Sequence, residues 1–283
     1  MGWIRRKGGN RSGILVSSTF SLPPFPFLLP PYNENMPHRE LTVLPVYNEV
    51  RHLTPVLDQT VRYCQAVLVV DDGSTDGTAE LLSARTDVYH IRHPQNQGYG
   101  AALRSGFEFA MQAGYDVLVT MDCDGQHEPQ RIPEFIAACQ GVDIVSGSRY
   151  LKQFPGDSAA PAQRRQINRV MTDQLNWQLG LELTDAFCGF KAYRVKSLRE
   201  IRITETGYAM PLELWVQAAA LGLRIVELPV PLIYLDETRS FGGALDNADL
   251  RLDVYREVLR RSIEAVKQRI SCRLSPSVAF CGD

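Results

Sequence analysis

No apolar run in this sequence reaches the roughly 20 residues that a membrane-crossing helix needs. Neither sign of charge dominates: 30 Lys and Arg stand against 32 Asp and Glu, a formal net charge of -2. Without a global basic field, nucleic acid is excluded as the main partner. Cysteine is scarce and scattered. Cys64, Cys123, Cys139, Cys188, Cys272 and Cys281 form no C-x-x-C pair, which leaves zinc and dithiol-redox readings without support. They read as reduced, mostly buried thiols of a cytosolic protein. No G-x-G-x-x-G follows the first strand pattern, and G-x-x-x-x-G-K-S/T is absent. Gly98-Tyr99-Gly100 lacks the third glycine, so dinucleotide and P-loop readings are poor. The histidines make no metal-spaced pair, and only His127 lies beside an acidic turn.

What remains is an ordinary globular composition, 45% hydrophobic and 22% charged over 283 residues, enough for one large α/β domain. Residues 1–36 differ from the rest. Arg5, Arg6 and Lys7 precede a proline-rich apolar run, Leu22 to Pro31. The prolines break the helix that a signal peptide needs, so the segment is expected to be a disordered extension, with Met36 an alternative start.

From Leu41 onward, short apolar runs alternate with helical patterns. Strands are predicted at 41–46, 66–70, 88–92, 116–121 and 143–146. Helices are predicted from Thr54-Pro55, with Thr54 as the cap, and at 78–84, 99–113 and 129–139. Later elements are helices at 162–179 and 211–220, strands at 189–193 and 224–230, and a last helix at 246–270. Near-continuous apolar strands alternating with helices predict a mostly parallel sheet with helices on both faces, whose ligands sit at the strands' carboxyl ends. In the last helix Leu252, Tyr255, Leu259, Ile263, Val266 and Ile270 form a stripe, with Arg256, Arg260, Arg261, Lys267 and Arg269 off it. The helix either lies on an anionic membrane or packs on the domain, and stripes at this spacing are usually core.

Acidic clusters fall at the predicted carboxyl edge. Asp122-Cys123-Asp124-Gly125-Gln126 places two carboxylates one residue apart just past a buried strand. Such hard oxygens suit Mg²⁺ or Mn²⁺, which would neutralise charge on a leaving diphosphate. Asp71-Asp72-Gly73-Ser74-Thr75-Asp76-Gly77-Thr78 permits a tight turn. It offers a carboxylate for a nucleobase or ribose, and Ser74 or Asp76 as a helix cap. Arg149, Arg164, Arg165 and Arg239 follow the sheet, where guanidinium groups grip phosphate bidentately.

Together these residues resemble the inverting GT-A glycosyltransferases of family 2, within them the dolichyl-phosphate mannose synthase and polyprenyl-phosphate glycosyltransferase branch. The resemblance runs in order over 41–239. It rests on Pro45-x-Tyr47-Asn48-Glu49, the Asp71 to Thr78 run, Asn96-x-Gly98-x-Gly100-Ala101, Asp122-x-Asp124-x-Gln126-His127-x-Pro129, Gly147-Ser148-Arg149-Tyr150, Arg164-Arg165, Asp185 with Cys188 through Tyr193, and Gly207-Tyr208 with Glu213. It implies a Rossmann-like GT-A domain over 37–245, with 246–283 a C-terminal helix and tail. Pro45, Tyr47, Glu49, Asp71 and Asp72 would line the nucleotide pocket, with Arg239 on the donor. Asp122, Asp124 and Gln126 would hold the metal and donor diphosphate. Asp124, Arg149 and Arg164 would carry catalysis.

The chain departs from that family near Asn168, where Ser or Thr is common, and at Ala244-Leu245, where a Ser-Lys pair is common. Related polysaccharide synthases supply Glu-Asp and a later Gln-x-x-Arg-Trp; here Thr184-Asp185 stands in the first place and the second is absent. A hydroxyl acceptor needs a general base, whereas a lipid monophosphate is already anionic. The expected reaction moves a sugar from a donor of the GDP-mannose or UDP-glucose class to a polyprenyl phosphate. Transfer to a hydroxyl and a non-catalytic nucleotide-sugar-binding subunit stand as alternatives. A lipid acceptor implies a cytoplasmic protein with peripheral contact at the membrane's cytoplasmic face.

Overall fold

Runs of Val, Leu and Ile make strands whose alternate side chains feed two cores, one on each side of a single sheet. In the computed structural model, residues 38–235 and 243–274 are described; the 1–36 extension, Met36 and Arg239 lie outside the described residues. The sheet has seven strands: β1 Glu40–Val46, β2 Val67–Asp71, β3 Tyr89–Arg92, β4 Val117–Thr120, β5 Ile144–Ser148, β6 Lys191–Arg194 and β7 Ile225–Pro229. Their order is β3-β2-β1-β4-β6-β5-β7. All pairings are parallel except those of β6, which runs antiparallel to both β4 and β5. The chain leaves β5 at the carboxyl edge, makes a long excursion and re-enters from that same edge, so β6 must run backwards. Residues 185–190 therefore arrive beside the ends of β4 and β5.

The helices are α1 Leu53–Thr60, α2 Thr78–Ser83, α3 Tyr99–Gln112, α4 Ile132–Ala138, α5 Ala162–Leu179, α6 Val195–Leu198, α7 Met210–Ala220 and α8 Ala248–Leu274. Along β1, Leu41 and Val43 join one core with side chains of α3, α5, α7 and α8. Leu44 and Val46 join the other, with Leu53 and Leu57 of α1, Leu82 of α2 and Phe135 of α4. This two-sided alternation follows from the strand period of two. Each fully buried Leu, Val or Ile contributes about 1.5–3 kcal/mol. Phe135 and Phe190 stack at 4.2 Å, tying α4 to the turn that leads into β6.

Some boundaries differ from the sequence expectation. α1 starts at Leu53, one residue before Thr54, because Leu53 N donates to Glu49 O and His52 is the cap position. At α2, Asp76 Oδ1 accepts from Thr78 N, while Ser74 Oγ instead accepts from Asn48 N across the loops. α8 begins at Ala248, where Asn247 Oδ1 accepts from Asp249 N and Leu250 N and caps it.

The α8 stripe packs against α5 and α7. Tyr255 and Leu259 are buried, Leu252, Ile263 and Val266 half-buried, and Ile270 exposed. Its basic residues have local partners: Arg260 bridges Glu257 and Glu264, and Arg261 pairs with Glu205. The packing reading of this helix is thus the one its contacts support.

Candidate active site

The carboxyl ends of β1, β2, β4 and β5, with the first turns of α3, α5 and α8, surround a cavity of about 580 Å³. This volume falls in the range of small-ligand sites. Of the expected residues, Pro45, Tyr47, Glu49, Asp72, Asp122, Asp124, Gln126, Arg149 and Arg164 line it. Asp71 and Arg165 do not, and Arg239 lies outside the described residues.

The loops after β1 and β2 are fastened together. Asn48 takes a left-handed φ of 56°, and its Oδ1 accepts from Thr75 N at 2.8 Å. Glu49 N donates to Thr78 Oγ1 at 3.1 Å, and the Glu49 side chain is buried at the cavity wall.

The two aspartates after β2 have separate tasks. Asp71 lies under the turn, contrary to its expected place in the nucleotide pocket. Its Oδ1 accepts from Ser74 N at 2.8 Å, and its Oδ2 sits 3.3 Å from Arg92 Nε without hydrogen-bond geometry. Asp72 faces the cavity but holds the next loop: its oxygens accept from Gln97 N and Gly98 N at 2.9 and 2.7 Å and meet His93 Nδ1 at 2.6 Å. Gly98 has φ +105°, and a Cβ there would run into Thr206 O, so only glycine allows this loop to lie against the 204–208 segment.

Asp122 and Asp124 follow β4, and Gly125 at φ 76° turns the chain between Asp124 and Gln126. Asp122 Oδ1 accepts from Tyr99 Oη at 3.1 Å, and its Oδ2 lies 3.3 Å from His127 Nε2. Its carboxylate rests directly over Gly189, where any Cβ would collide with it. Asp124 Oδ1 accepts from Gln126 N at 3.0 Å. Burial, with the neighbouring Asp122 carboxylate adding, pushes the Tyr99 phenol well above its ordinary range, so Tyr99 remains a donor. Among the described residues no cluster of three His, Cys, Asp or Glu could by itself hold a metal. Two carboxylates and one amide oxygen nevertheless fit Mg²⁺ or Mn²⁺, which commonly take one or two protein carboxylates and complete their shell with substrate phosphate and water.

Across the cavity, Arg149 is not a bare phosphate fork. Its Nε and Nη2 donate to Asp185 Oδ2 and Oδ1 at 2.6 and 2.9 Å. Asp185, fully buried, also accepts from Asn168 Nδ2 at 2.7 Å and from the backbone of Phe187. Burial pushes the Asp185 carboxyl upward, but the Arg149 guanidinium and these bonds reverse that push and hold it below the ordinary carboxylate range. From β7, Glu227 accepts from Thr184 N and Asp185 N and fixes the loop. Glu213 similarly holds Thr204 N and Glu205 N, a structural task.

Arg164 lines the cavity from α5. Arg165 is exposed, its guanidinium carbon 5.8 Å from the Tyr150 ring centre. Tyr99 stacks on Tyr208 at 5.6 Å, and Phe187 stacks on Tyr255 at 5.0 Å, giving the cavity an aromatic wall. The sequence reading did not single out Arg251 and Tyr255 of α8 or Phe187 as site residues; the helical spacing of Arg251 and Tyr255, four apart, was the signal available.

Comparison with known proteins gives a family and a fold. The family described as Glycosyl transferase family 2 matches residues 42–202. An undecaprenyl-phosphate mannosyltransferase of Micrococcus luteus is 36% identical over 223 residues, covering 74% of this chain and 90% of that protein. A polyprenol monophosphomannose synthase of Mycolicibacterium smegmatis is 34% identical over 205 residues, covering 68% and 76%. In fold, the chain is similar to the glucosyl-3-phosphoglycerate synthase of Mycobacterium tuberculosis, with TM-score 0.61 at 18% identity over 85% of this chain and 82% of that one.

Proposed function

The chain belongs to glycosyl transferase family 2, and from that premise we propose that it transfers a hexose, with inversion, from a nucleotide-sugar donor of the GDP-mannose or UDP-glucose class to a polyprenyl phosphate. A phosphate oxygen of the acceptor attacks the anomeric carbon, and the bond from that carbon to the donor diphosphate breaks. The products are the nucleoside diphosphate and the lipid-linked sugar phosphate, and no proton need be removed from the nucleophile.

The observation that carries the acceptor class is the state of Asp185. A hydroxyl acceptor requires a carboxylate that can take a proton. Asp185, beside the cavity's Arg149, is fully buried, forked to that arginine and held below the ordinary carboxylate range, which makes it a poor base. Asp72 is engaged with the 97–98 loop. The two sequence relatives carry polyprenyl-phosphate chemistry in their names.

In this reading Pro45, Tyr47, Glu49 and Asp72 face the nucleotide. Asp122, Asp124 and Gln126 would hold Mg²⁺ or Mn²⁺, which when bound supplies positive charge against the departing diphosphate. Tyr99 and His127 orient the Asp122 carboxylate. Arg149, stiffened by Asp185, and Arg164 offer cationic contacts to phosphate. The lipid acceptor would bring the protein to the cytoplasmic face of a membrane; among the described residues no helix is long and apolar enough to cross one.

The test is a donor screen with Mn²⁺, offering polyprenyl phosphate and a hydroxyl acceptor in parallel and reading the mass of the products. A lipid product one hexose heavier is the expected result. Glycosylation of the hydroxyl acceptor with none of the lipid would overturn the reading.

A further inference from the structure

α8 buries one stripe made of Arg251, Tyr255, Val258, Leu259 and Ser262, and the first member of that stripe is a charged residue. Arg251 is only 3% exposed. Desolvating a guanidinium is costly unless anionic or hydrogen-bonding groups surround it. Its Nη1 donates to Leu245 O at 2.7 Å, in the turn that precedes α8, and the side chain lines the same cavity as Asp122 and Asp124. Arg164 of α5 lines that cavity too, near enough for its charge to be felt at both Arg251 and Tyr255. Two guanidinium groups from different helices thus line one partly buried space, with the Asp246 carboxylate also within electrostatic reach of Arg251.

Aromatic contacts run along the same cavity. Tyr99 bonds Asp122, Tyr208 stacks on Tyr99, and Tyr255 couples electrostatically to Tyr208 and to both arginines. Aromatic rings and cations thus share the cavity with the acidic turn.

We propose that Arg251 of α8, together with Arg164 of α5, binds the phosphate of the lipid acceptor, so that the C-terminal helix supplies part of the acceptor site. The proposal rests on the polyprenyl-phosphate reading above. Burial, with the nearby Arg164 charge adding, holds the Arg251 guanidinium below its ordinary range, which an incoming phosphate would reverse. Burial also holds the Tyr255 phenol up at about 12, leaving it a neutral donor on the same wall.

The experiment compares R251Q with R251K in the full chain. Both replacements retain a donor for Leu245 O; only the lysine retains charge. With polyprenyl phosphate as the varied acceptor, R251Q is expected to raise acceptor KM roughly tenfold or more and R251K about threefold, because a charge-assisted contact to phosphate is lost in one and weakened in the other. The donor KM is expected to stay within about twofold in both. Acceptor KM within about twofold of wild type in both variants overturns the proposal, as does a donor KM that rises in step with acceptor KM. If R251Q does not fold, R251K alone decides by the same split. Failure of the wild-type protein to glycosylate polyprenyl phosphate would instead overturn the proposed function and this inference with it.

Discussion

Asp185 grips Arg149 through two parallel hydrogen bonds, Nε to Oδ2 at 2.6 Å and Nη2 to Oδ1 at 2.9 Å, with the carboxylate wholly out of solvent. The pair joins the end of β5 to the loop that enters β6, and Asn168 of α5 closes the network. Its geometry makes Arg149 a fixed cationic wall of the cavity.

Removing one partner should therefore be expensive. Asp185→Asn is expected to destabilise the fold by about 3–5 kcal/mol, since it leaves a buried guanidinium without its counter-charge. Chemical denaturation at neutral pH measures it, and a change below about 1 kcal/mol would show the pair to be dispensable. The sign of the pH dependence follows from a carboxyl held low by Arg149. Such a group stabilises the fold above its unfolded value of about 4 and loses that contribution as pH falls through the lower folded value. The wild type should weaken steeply below about pH 4, whereas Asp185→Asn should start lower and fall less.

Asp124→Asn should abolish transfer and leave the fold intact. It removes the negative charge of a carboxylate proposed to hold the metal at the end of β4 while keeping the side-chain volume. Unchanged thermal melting with no product at saturating Mn²⁺ is the expected pair of results; near-wild-type turnover would refute the metal assignment.

Tyr99→Phe keeps the ring stacked on Tyr208 but deletes the bond to Asp122 Oδ1. Loss of such a supporting bond typically weakens a metal site, so Mn²⁺ affinity is expected to drop by roughly tenfold. A Mn²⁺ titration of turnover reads this directly. Unaltered affinity would mean that the orientation of Asp122 does not depend on Tyr99.

The arginine pair of α5 should split. Arg164→Ala is expected to lower acceptor-dependent rate by roughly ten- to a hundredfold, the worth of a charge-assisted contact of about 1.5–3 kcal/mol. Arg165→Ala should change it less than about threefold, because that side chain is exposed and leans on Tyr150. Equal losses in the two variants, accompanied by lower melting temperatures, would assign both to structure.

Local chemistry was legible in the chain itself. Leu41 to Val46 had to be a buried strand because only a sheet with helices on both faces covers so continuous an apolar run. Asp122 and Asp124 were legible as a pair because their spacing, and the strand before them, are properties of consecutive residues. Tertiary structure decided what depends on residues far apart in sequence. Asp71 and Asp72 are adjacent and chemically identical, yet one went under a turn and the other onto the cavity wall, because successive residues leaving a strand point to opposite sides. Arg149 was readable as a cation, but its fork on Asp185, 36 residues away, exists only because β6 enters backwards between β4 and β5. Arg251 looked like one more basic residue of a terminal helix. Only the seating of α8 on α5 and α7 turned it into the cavity, since the face a helix buries is chosen by the surfaces it meets as well as by its own pattern.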